Sequence, residues 1–441
     1  MTSQSVVFLE NQDVKSCLRC KELMAVILTR NEKFCKQCYL RFVRGKQRKQ
    51  MQDESYKVKY SEALKRVGMQ KVLLPWSGGM SSLVLVDVIG TLLQEQREAH
   101  NGRQGFELMI LHIEEEESDS LKKNVRFALS ELVHKYNPVQ IKFKILSLNS
   151  LAIDPSLIKK IEINNSFEGL CRPINLKEGI TVKELLSSCA DRSSSEDLLN
   201  IIRDDIIIRT AHLEDCKTIL YGHSMTRIAN EVISLTVKGR GASIHKSVSD
   251  HATNYKEKSF NIIYPLREVL LVEVAAYLEI ASLKSFVIES TSPRSKITKN
   301  MTVRDLVTQY FTHLDETGYA STASTVVKTG EKLGEPKFEL ILSNCQVCGV
   351  NIHQDPKKWL SDITVTEPAA LVDDEQRKYA DMVSSKANEV ISNDLETPIN
   401  LCYGCTITIA MLSKNREVLW PITDSGNDQS ILDMYILDDL L

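Results

Sequence analysis

The chain lacks any apolar run of the ~18–20 residues that a membrane-spanning helix needs, and its opening, MTSQSVVFLENQDVK, has neither the basic start nor the long apolar stretch of a secretory leader. It lacks a dominant charge as well, with 55 Lys and Arg against 58 Asp and Glu for a net of −3. With 43% hydrophobic and 26% charged residues, both near the globular average, a mostly disordered, collagenous or coiled-coil chain is excluded. The expectation is a cytoplasmic protein whose eleven cysteines stay reduced, so that paired cysteine spacings signal metal rather than disulfides. At 441 residues it exceeds one average domain of roughly 100–200 residues.

Cys17, Cys20, Cys35 and Cys38 form C-x2-C-x14-C-x2-C, two tight knuckles whose separation lets them close around one tetrahedral ion. Nothing in the pattern leaves a position open for water, so the expected ion is a structural zinc. Cys345, Cys348, Cys402 and Cys405 repeat the pairing with 53 residues between the pairs. An acidic stretch there, LVDDEQRKYADMV, can loop out without keeping the pairs apart. A second zinc is expected, redox-active C-x-x-C being the other use of such a pair. Cys171, Cys189 and Cys216 stand alone and read as buried or idle thiols.

The small net charge hides a division. Residues 1–70 hold 15 Lys and Arg against 7 Asp and Glu, a surplus of +8 that leaves −11 for the rest. Arg41, Arg44, Lys46, Arg48 and Lys49 fall within ten residues, followed by Lys57, Lys59, Lys65 and Arg66 on a stretch read as helical. Beside a zinc motif, such density suits a polyphosphate partner such as RNA; the plain alternative is a solvated helix face. From Asp424 to Leu441 the tail has five aspartates and no basic residue, interleaved with Ile431, Leu432, Tyr435, Ile436 and Leu437, as in a docking helix or a solvated tail.

Between Lys71 and Leu283 apolar runs alternate with helical patterns: KVLLPW, SSLVLVDVIGTLLQ, FELMILHIE, LKKNVRFALSELVHKY and IKFKILSL, then EDLLNIIRDDIIIRTAHL, KTILYGHS, MTRIANEVISLTV and REVLLVEVAAYLEI. The alternation predicts an α/β fold with a doubly wound parallel sheet, whose strand exits share the edge where open sheets bind ligands. At the first exit Ser77, Gly78, Gly79, Met80, Ser81 and Ser82 join strand to helix, a turn able to aim backbone N–H groups at an anion. No Lys follows the glycines, so this is not a Walker loop. Further on, VKGRGASIHK places Lys238, Arg240 and Lys246 around two glycines and reads as a mobile basic loop suited to backbone phosphates.

The strand followed by SGGMSS, the later YGHSMTRIANEV, and YPLRE before a helix resemble, in order and spacing, the three landmarks of PP-loop ATP pyrophosphatases across residues 68–290. With its flanking cysteine groups, the whole chain is similar to the second subunits of cytoplasmic tRNA 2-thiolation complexes. That resemblance implies a catalytic PP-loop paralogue as partner, which activates the wobble uridine with ATP. It also implies tRNA as substrate and sulfur arriving as a thiocarboxylate on a ubiquitin-related sulfur-carrier modifier.

Departures from the family pattern carry as much information. Active members read S-G-G-x-D-S and G-H-N-x-D-D; here Ser81 stands at the first acid, and Ser224, Met225, Thr226 and Arg227 follow Gly222 and His223. Thiolating relatives also carry three cysteines where this chain reads RDDIIIRT and SFVIEST. A Mg-nucleotide needs carboxylates around its ion, and sulfur transfer needs thiolates. Ser77, Gly78, Gly79, Ser81 and Ser82 are therefore read as a degenerate nucleotide loop that leaves ATP binding in question, and the chain as an adaptor without catalytic residues. Asp204 and Asp205 read as solvent-facing acids or partners of Arg203 and Arg209, and His223 as a structural residue. Two other readings stand beside this one: an ATP-dependent RNA-adenylating enzyme with a divergent site, and a stand-alone zinc-ribbon nucleic-acid binder. The expected organisation is a basic zinc-ribbon-like module over 1–67, a PP-loop-like domain over 68–290, and over 291–441 a helical connector, the second cysteine module and the acidic tail.

Overall fold

The computed structural model describes residues 6–9, 16–60, 68–115, 119–151, 158–163, 169–172, 181–187, 189, 192–288, 301–334, 341–356, 359, 374–375, 377–378, 382, 397–410 and 417–421. Lys65, Arg66 and the acidic tail lie outside them, and Lys57 and Lys59 lie on non-helical backbone, contrary to the helical reading of that stretch. Among the described residues no helix is long and apolar enough to cross a membrane. Contacts group the chain into two units, Met1–Ser150 with Ile202–Pro336, and Leu151–Ile201 with Lys337–Leu441.

The first unit opens with an antiparallel meander, β1 (Val6–Phe8), β2 (Ile27–Thr29) and β3 (Glu32–Phe34). The β2–β3 turn is Arg30-Asn31, both left-handed at φ 48° and 64°, the backbone twist that a two-residue hairpin demands. A helix, α1 (Lys36–Gln50), follows at once. Next come β4 (Gln70–Pro75), β5 (Phe106–Glu114) and β6 (Ile141–Ser147). After a stretch carrying β7 (Ile158–Ile163) and β8 (Gly169–Arg172) of the other unit, β9 (Cys216–Leu220), β10 (His251–Tyr255) and β11 (Lys258–Ile263) complete the main sheet.

Its order is β10-β11-β9-β4-β5-β6, parallel except for β10. From β4 the chain winds one way to β6, then returns on the other side of β4 through β9, so the winding direction switches between β4 and β9. Successive side chains feed opposite faces: Val72, Leu74, Leu108 and Ile110 enter one core, Leu73, Met109, Leu111 and Ile219 the other. The first core also holds the helices Met80–Ala99 and Asp119–Lys135 together with Phe34, Tyr39 and Val43 of the N-terminal module. The second holds Met225–Val237, Val303–Glu316 and Ser321–Leu333. The doubly wound α/β expectation is met. The β10–β11 hairpin, turning through Lys256 at φ 51°, was not anticipated, because HATNY alternates polar residues at a sheet edge. The expected mobile loop at VKGRGASIHK is instead partly coiled: Gly241–Ser243 makes a 3-10 turn and Ile244–Val248 a short helix, since Ile244 and Val248 are drawn into the second core.

The second unit contains a short hairpin, β12 (Ser343–Asn344) with β13 (Asn351–Ile352). It also contains an antiparallel sheet ordered β14-β8-β7-β15, with β14 at Thr397–Ile399 and β15 at Glu417–Pro421. A helix, Tyr403–Ala410, follows β14 directly.

Candidate functional site

Each cysteine pair is built by local backbone geometry. Cys35 caps α1, its sulfur accepting from the Cys38 N–H at 3.5 Å, and Cys17 donates its N–H to Leu23 O at 2.8 Å to close the opposite knuckle. The second unit repeats the device: Cys402 Sγ accepts from the Cys405 N–H at 3.4 Å at the start of its helix, while Gly349, at φ 71°, donates to Cys345 O at 2.8 Å. A bond from Gln346 N to Asn400 O, 3.0 Å, joins the two second-unit pairs across their long insert.

In each quartet all four sulfurs lie within 4.8 Å of one another. Cys20 and Cys35 are 3.9 Å apart and Cys348 and Cys402 3.6 Å. A tetrahedral ion with sulfur at ~2.3 Å has sulfur–sulfur edges of about 3.8 Å, so both groups can hold a metal ion. Four sulfurs this close do not ionise together unaided. Burial raises Cys17, but backbone N–H bonds from Cys20, Cys35 and Arg19 outweigh it and bring that thiol down to about 6. Cys38 is pushed up to about 12 by burial and by its neighbouring sulfurs. A divalent cation resolves the conflict by compensating all four thiolates.

The residues of the first strand exit form one turn between β4 and the helix Met80–Ala99. Gly79 caps the helix Met80–Ala99, and Gly78 is left-handed at φ 80°. Hydroxyls are used within the turn: Ser77 Oγ lies 3.2 Å from Ser82 Oγ and accepts from the Gly79 N–H at 3.4 Å, while Ser82 Oγ donates to Gly79 O at 3.0 Å. Ile288 covers the turn, donating its N–H to Gly78 O at 2.9 Å and standing 2.8 Å from where a Cβ on Gly78 would be. Gly222, at the exit of β9, lets the chain pass so near that a Cβ there would lie 2.7 Å from Ser82 Cα.

At the β9 exit, the positions of the family's acids serve other contacts. Ser224 caps Met225–Val237, accepting from the Arg227 N–H at 3.3 Å, and buried Thr226 accepts from the Leu271 N–H at 3.1 Å. Arg227 is exposed. His223 stacks on Tyr264 and lies beside Tyr221; burial first, then the charge of Arg227, holds its imidazole down to about 4, so it is neutral at pH 7. Asp205 pairs with Arg209 at 2.7 Å, but Arg203 pairs with Glu115 at 2.6 Å, and Asp204 accepts from the Tyr221 hydroxyl at 3.1 Å.

Of the basic cluster on α1, Arg41 is exposed, while Arg44, Lys46, Arg48 and Lys49 have partners inside the protein. Arg44 donates to the Tyr277 hydroxyl at 3.2 Å and stands 3.8 Å from Asp87. Lys46, its ammonium brought down to about 8 chiefly by burial, donates to Glu268 O at 2.7 Å. Arg48 pairs with Glu95, and Lys49 with Glu268 at 2.8 Å. Lys238 and Arg240 are half-buried at the C-terminal end of Met225–Val237, Arg240 donating its backbone N–H to Leu235 O at 2.8 Å.

Two acids escaped sequence reasoning. Glu273, fully buried, accepts from Arg30 at 2.6 and 2.9 Å, from Thr29 at 3.3 Å and from the Leu270 N–H at 2.9 Å, docking the N-terminal meander on the helix Leu271–Ile280. Asp87 collects Lys135 at 2.8 Å and the hydroxyls of Tyr136 and Tyr277; these outweigh the effect of burial and keep its carboxyl below the usual range. A lone acid inside the apolar run SSLVLVDVIG was its visible signal.

A mostly parallel sheet with a glycine turn at its switch point, together with two four-cysteine groups able to hold a metal ion, defines a doubly wound α/β protein. The family model described as Cytoplasmic tRNA 2-thiolation protein 2 matches residues 302–407. The protein of that description from Debaryomyces hansenii is 53% identical over 99% of both chains, and that from Scheffersomyces stipitis 48% identical over 98% of both. This chain belongs to the Cytoplasmic tRNA 2-thiolation protein 2 family. Among solved structures, the U34-tRNA thiolase of Methanococcus maripaludis with its 4Fe-4S cluster aligns at TM-score 0.49 and 16% identity, over 81% of this chain and 99% of that one.

Proposed function

We propose that this chain is the non-catalytic, tRNA-holding subunit of a cytoplasmic enzyme that 2-thiolates wobble uridine, working beside a catalytic PP-loop paralogue. The observation that carries the reading is full-length family membership combined with the replacement of the strand-exit acids by Ser81, Thr226 and Arg227. In this reading ATP activation and sulfur transfer from the thiocarboxylated modifier belong to the paralogue. Ser77, Gly78, Gly79, Ser81 and Ser82 keep the shape of a nucleotide loop without the carboxylates to hold a Mg-nucleotide.

Zinc is the proposed ion of both quartets, because four thiolates form its closed structural shell. It would tie the start of α1 to the meander in the first unit and β12–β13 to the helix Tyr403–Ala410 in the second. Arg41 is the proposed direct phosphate contact of α1; Arg44, Lys46, Arg48, Lys49, Lys238 and Arg240 add to the positive field felt by tRNA. The proposed modules remain the basic zinc ribbon, the PP-loop-like domain and the C-terminal cysteine region.

The test measures ATP-dependent pyrophosphate release and 2-thiouridine formation with the subunit alone, with Ser81→Asp, and with the paralogue added. Neither form alone should turn over, since one restored carboxylate leaves Thr226 and Arg227 in place, and a broken catalytic constellation commonly costs ~1,000-fold or more. Turnover should appear with the paralogue. Robust turnover by the unmodified subunit alone overturns the reading.

A further inference from the structure

The helix Asp119–Lys135 follows β5, the parallel neighbour of β4, and so starts at the strand-exit edge. Its inner side is complete, with Val125, Ala128, Leu129 and Leu132 in the first core. Lys122, half-buried at the edge of that side, and Arg126 stand one turn apart, and so do Lys123 and Phe127, so that three cations and a ring fall within two turns of the helix. Lys123 and Arg126 are exposed, and Phe127 has 66% of its surface in water. The β5 exit and the start of the helix carry Glu114, Glu115, Glu116, Glu117 and Asp119, of which Glu115 pairs with Arg203 at 2.6 Å. By contrast with the internally paired cations of α1, Lys123 and Arg126 project outward beside an aromatic face that the core does not use, with Lys122 at its half-buried edge. An open ring with cations beside it is the chemistry that grips an unpaired nucleotide, the ring stacking on the base and the cations meeting the flanking phosphates.

We propose that this face binds single-stranded RNA, with Phe127 stacking on one unpaired base and Lys122, Lys123 and Arg126 contacting adjacent phosphates. The inference rests on the tRNA-holding reading and deepens it by naming where, and by what contacts, unpaired nucleotides are held. Base identity should matter little, because every base offers a π-face.

The full-length protein is titrated, by fluorescence anisotropy across a salt series, against a tRNA transcript, an unstructured RNA and a blunt RNA duplex. Replacing Lys122, Lys123 and Arg126 together by Gln should flatten the log–log salt slope on unstructured RNA by about 2, at ~0.7 per phosphate contact. Phe127→Ala should weaken unstructured RNA roughly five- to a hundredfold with the salt slope unchanged, and leave duplex binding nearly as it was. Phe127→Trp should restore affinity. The substituted positions are exposed except half-buried Lys122, and matching thermal melts confirm that the fold is retained. Wild-type affinity in Phe127→Ala, an unchanged slope in the triple variant, or equal losses on duplex and single strand overturn the site. If the unaltered protein binds none of the three RNAs, the tRNA-holding reading fails and the site with it; if it binds them and both variants match it, only the site fails.

Discussion

Glu231 offers a sharp test of how the degenerate β9 exit is held. It lies on the helix Met225–Val237 and accepts from the guanidinium of Arg304 at 3.0 and 2.7 Å, with Arg304 only 6% exposed. Burial raises the Glu231 carboxyl, but the bonds and charge of Arg304, with Arg227 and His223 adding to them, bring it from 4.5 down to about 2. At ~1.4 kcal/mol per unit, a drop of about 2.5 units corresponds to about 3 kcal/mol of stability. Because the folded value lies below the unfolded one, that stability is complete above about pH 4.5 and disappears as pH falls towards 2. Near pH 3 the same linkage leaves about 1 kcal/mol. Glu231→Gln keeps the size of the side chain and removes its charge. Guanidinium melts should therefore show it about 3 kcal/mol less stable than the parent at pH 7, with the gap cut to less than half at pH 3. Equal destabilisation at the two pH values, or none at pH 7, refutes the reasoning.

Metal analysis of the purified protein should find about two zinc ions per chain, one lost with Ser at Cys17, Cys20, Cys35 and Cys38 and the other with Ser at Cys345, Cys348, Cys402 and Cys405. Zinc content unaffected by either replacement counts against that group. Gly222→Ala should cost about 1–3 kcal/mol, because the new methyl meets the backbone of the loop helix at Ser82; parental stability in a denaturant melt would mean that this helix yields.

Some of this was legible because it is local. A cysteine pair at x2 spacing folds its own knuckle through bonds such as Cys38 N–H to Cys35 Sγ, so the quartets could be read residue by residue, even across the insert that parts Cys348 from Cys402. FELMILHIE is β5 to the residue and MTRIANEVISLTV is its helix to the residue, since a strand buried on both faces and a helix with one apolar side leave strong periodic marks. HATNY left none, being an edge strand whose exposed positions carry no apolar signal. The domains were read as consecutive blocks, whereas contacts gather the chain into two units that each use separate stretches of it.

By itself the sequence determined the alternation of strand and helix, the pairing of cysteines and the absence of the strand-exit acids, all properties of residue type at short spacing. Only the tertiary structure decided what the charges do. Arg48 faces Glu95 47 positions away and Lys46 meets the carbonyl of Glu268 222 positions away, so a segment that counts as a free basic patch in the sequence is largely the dock of α1 on its own unit. Lys123 and Arg126, less dense in the sequence, are turned outward because Val125, Ala128, Leu129 and Leu132 fix which side of their helix faces the core. A charge acts on whatever lies within a few ångströms, and the distance between groups far apart in the chain exists only once the fold has closed.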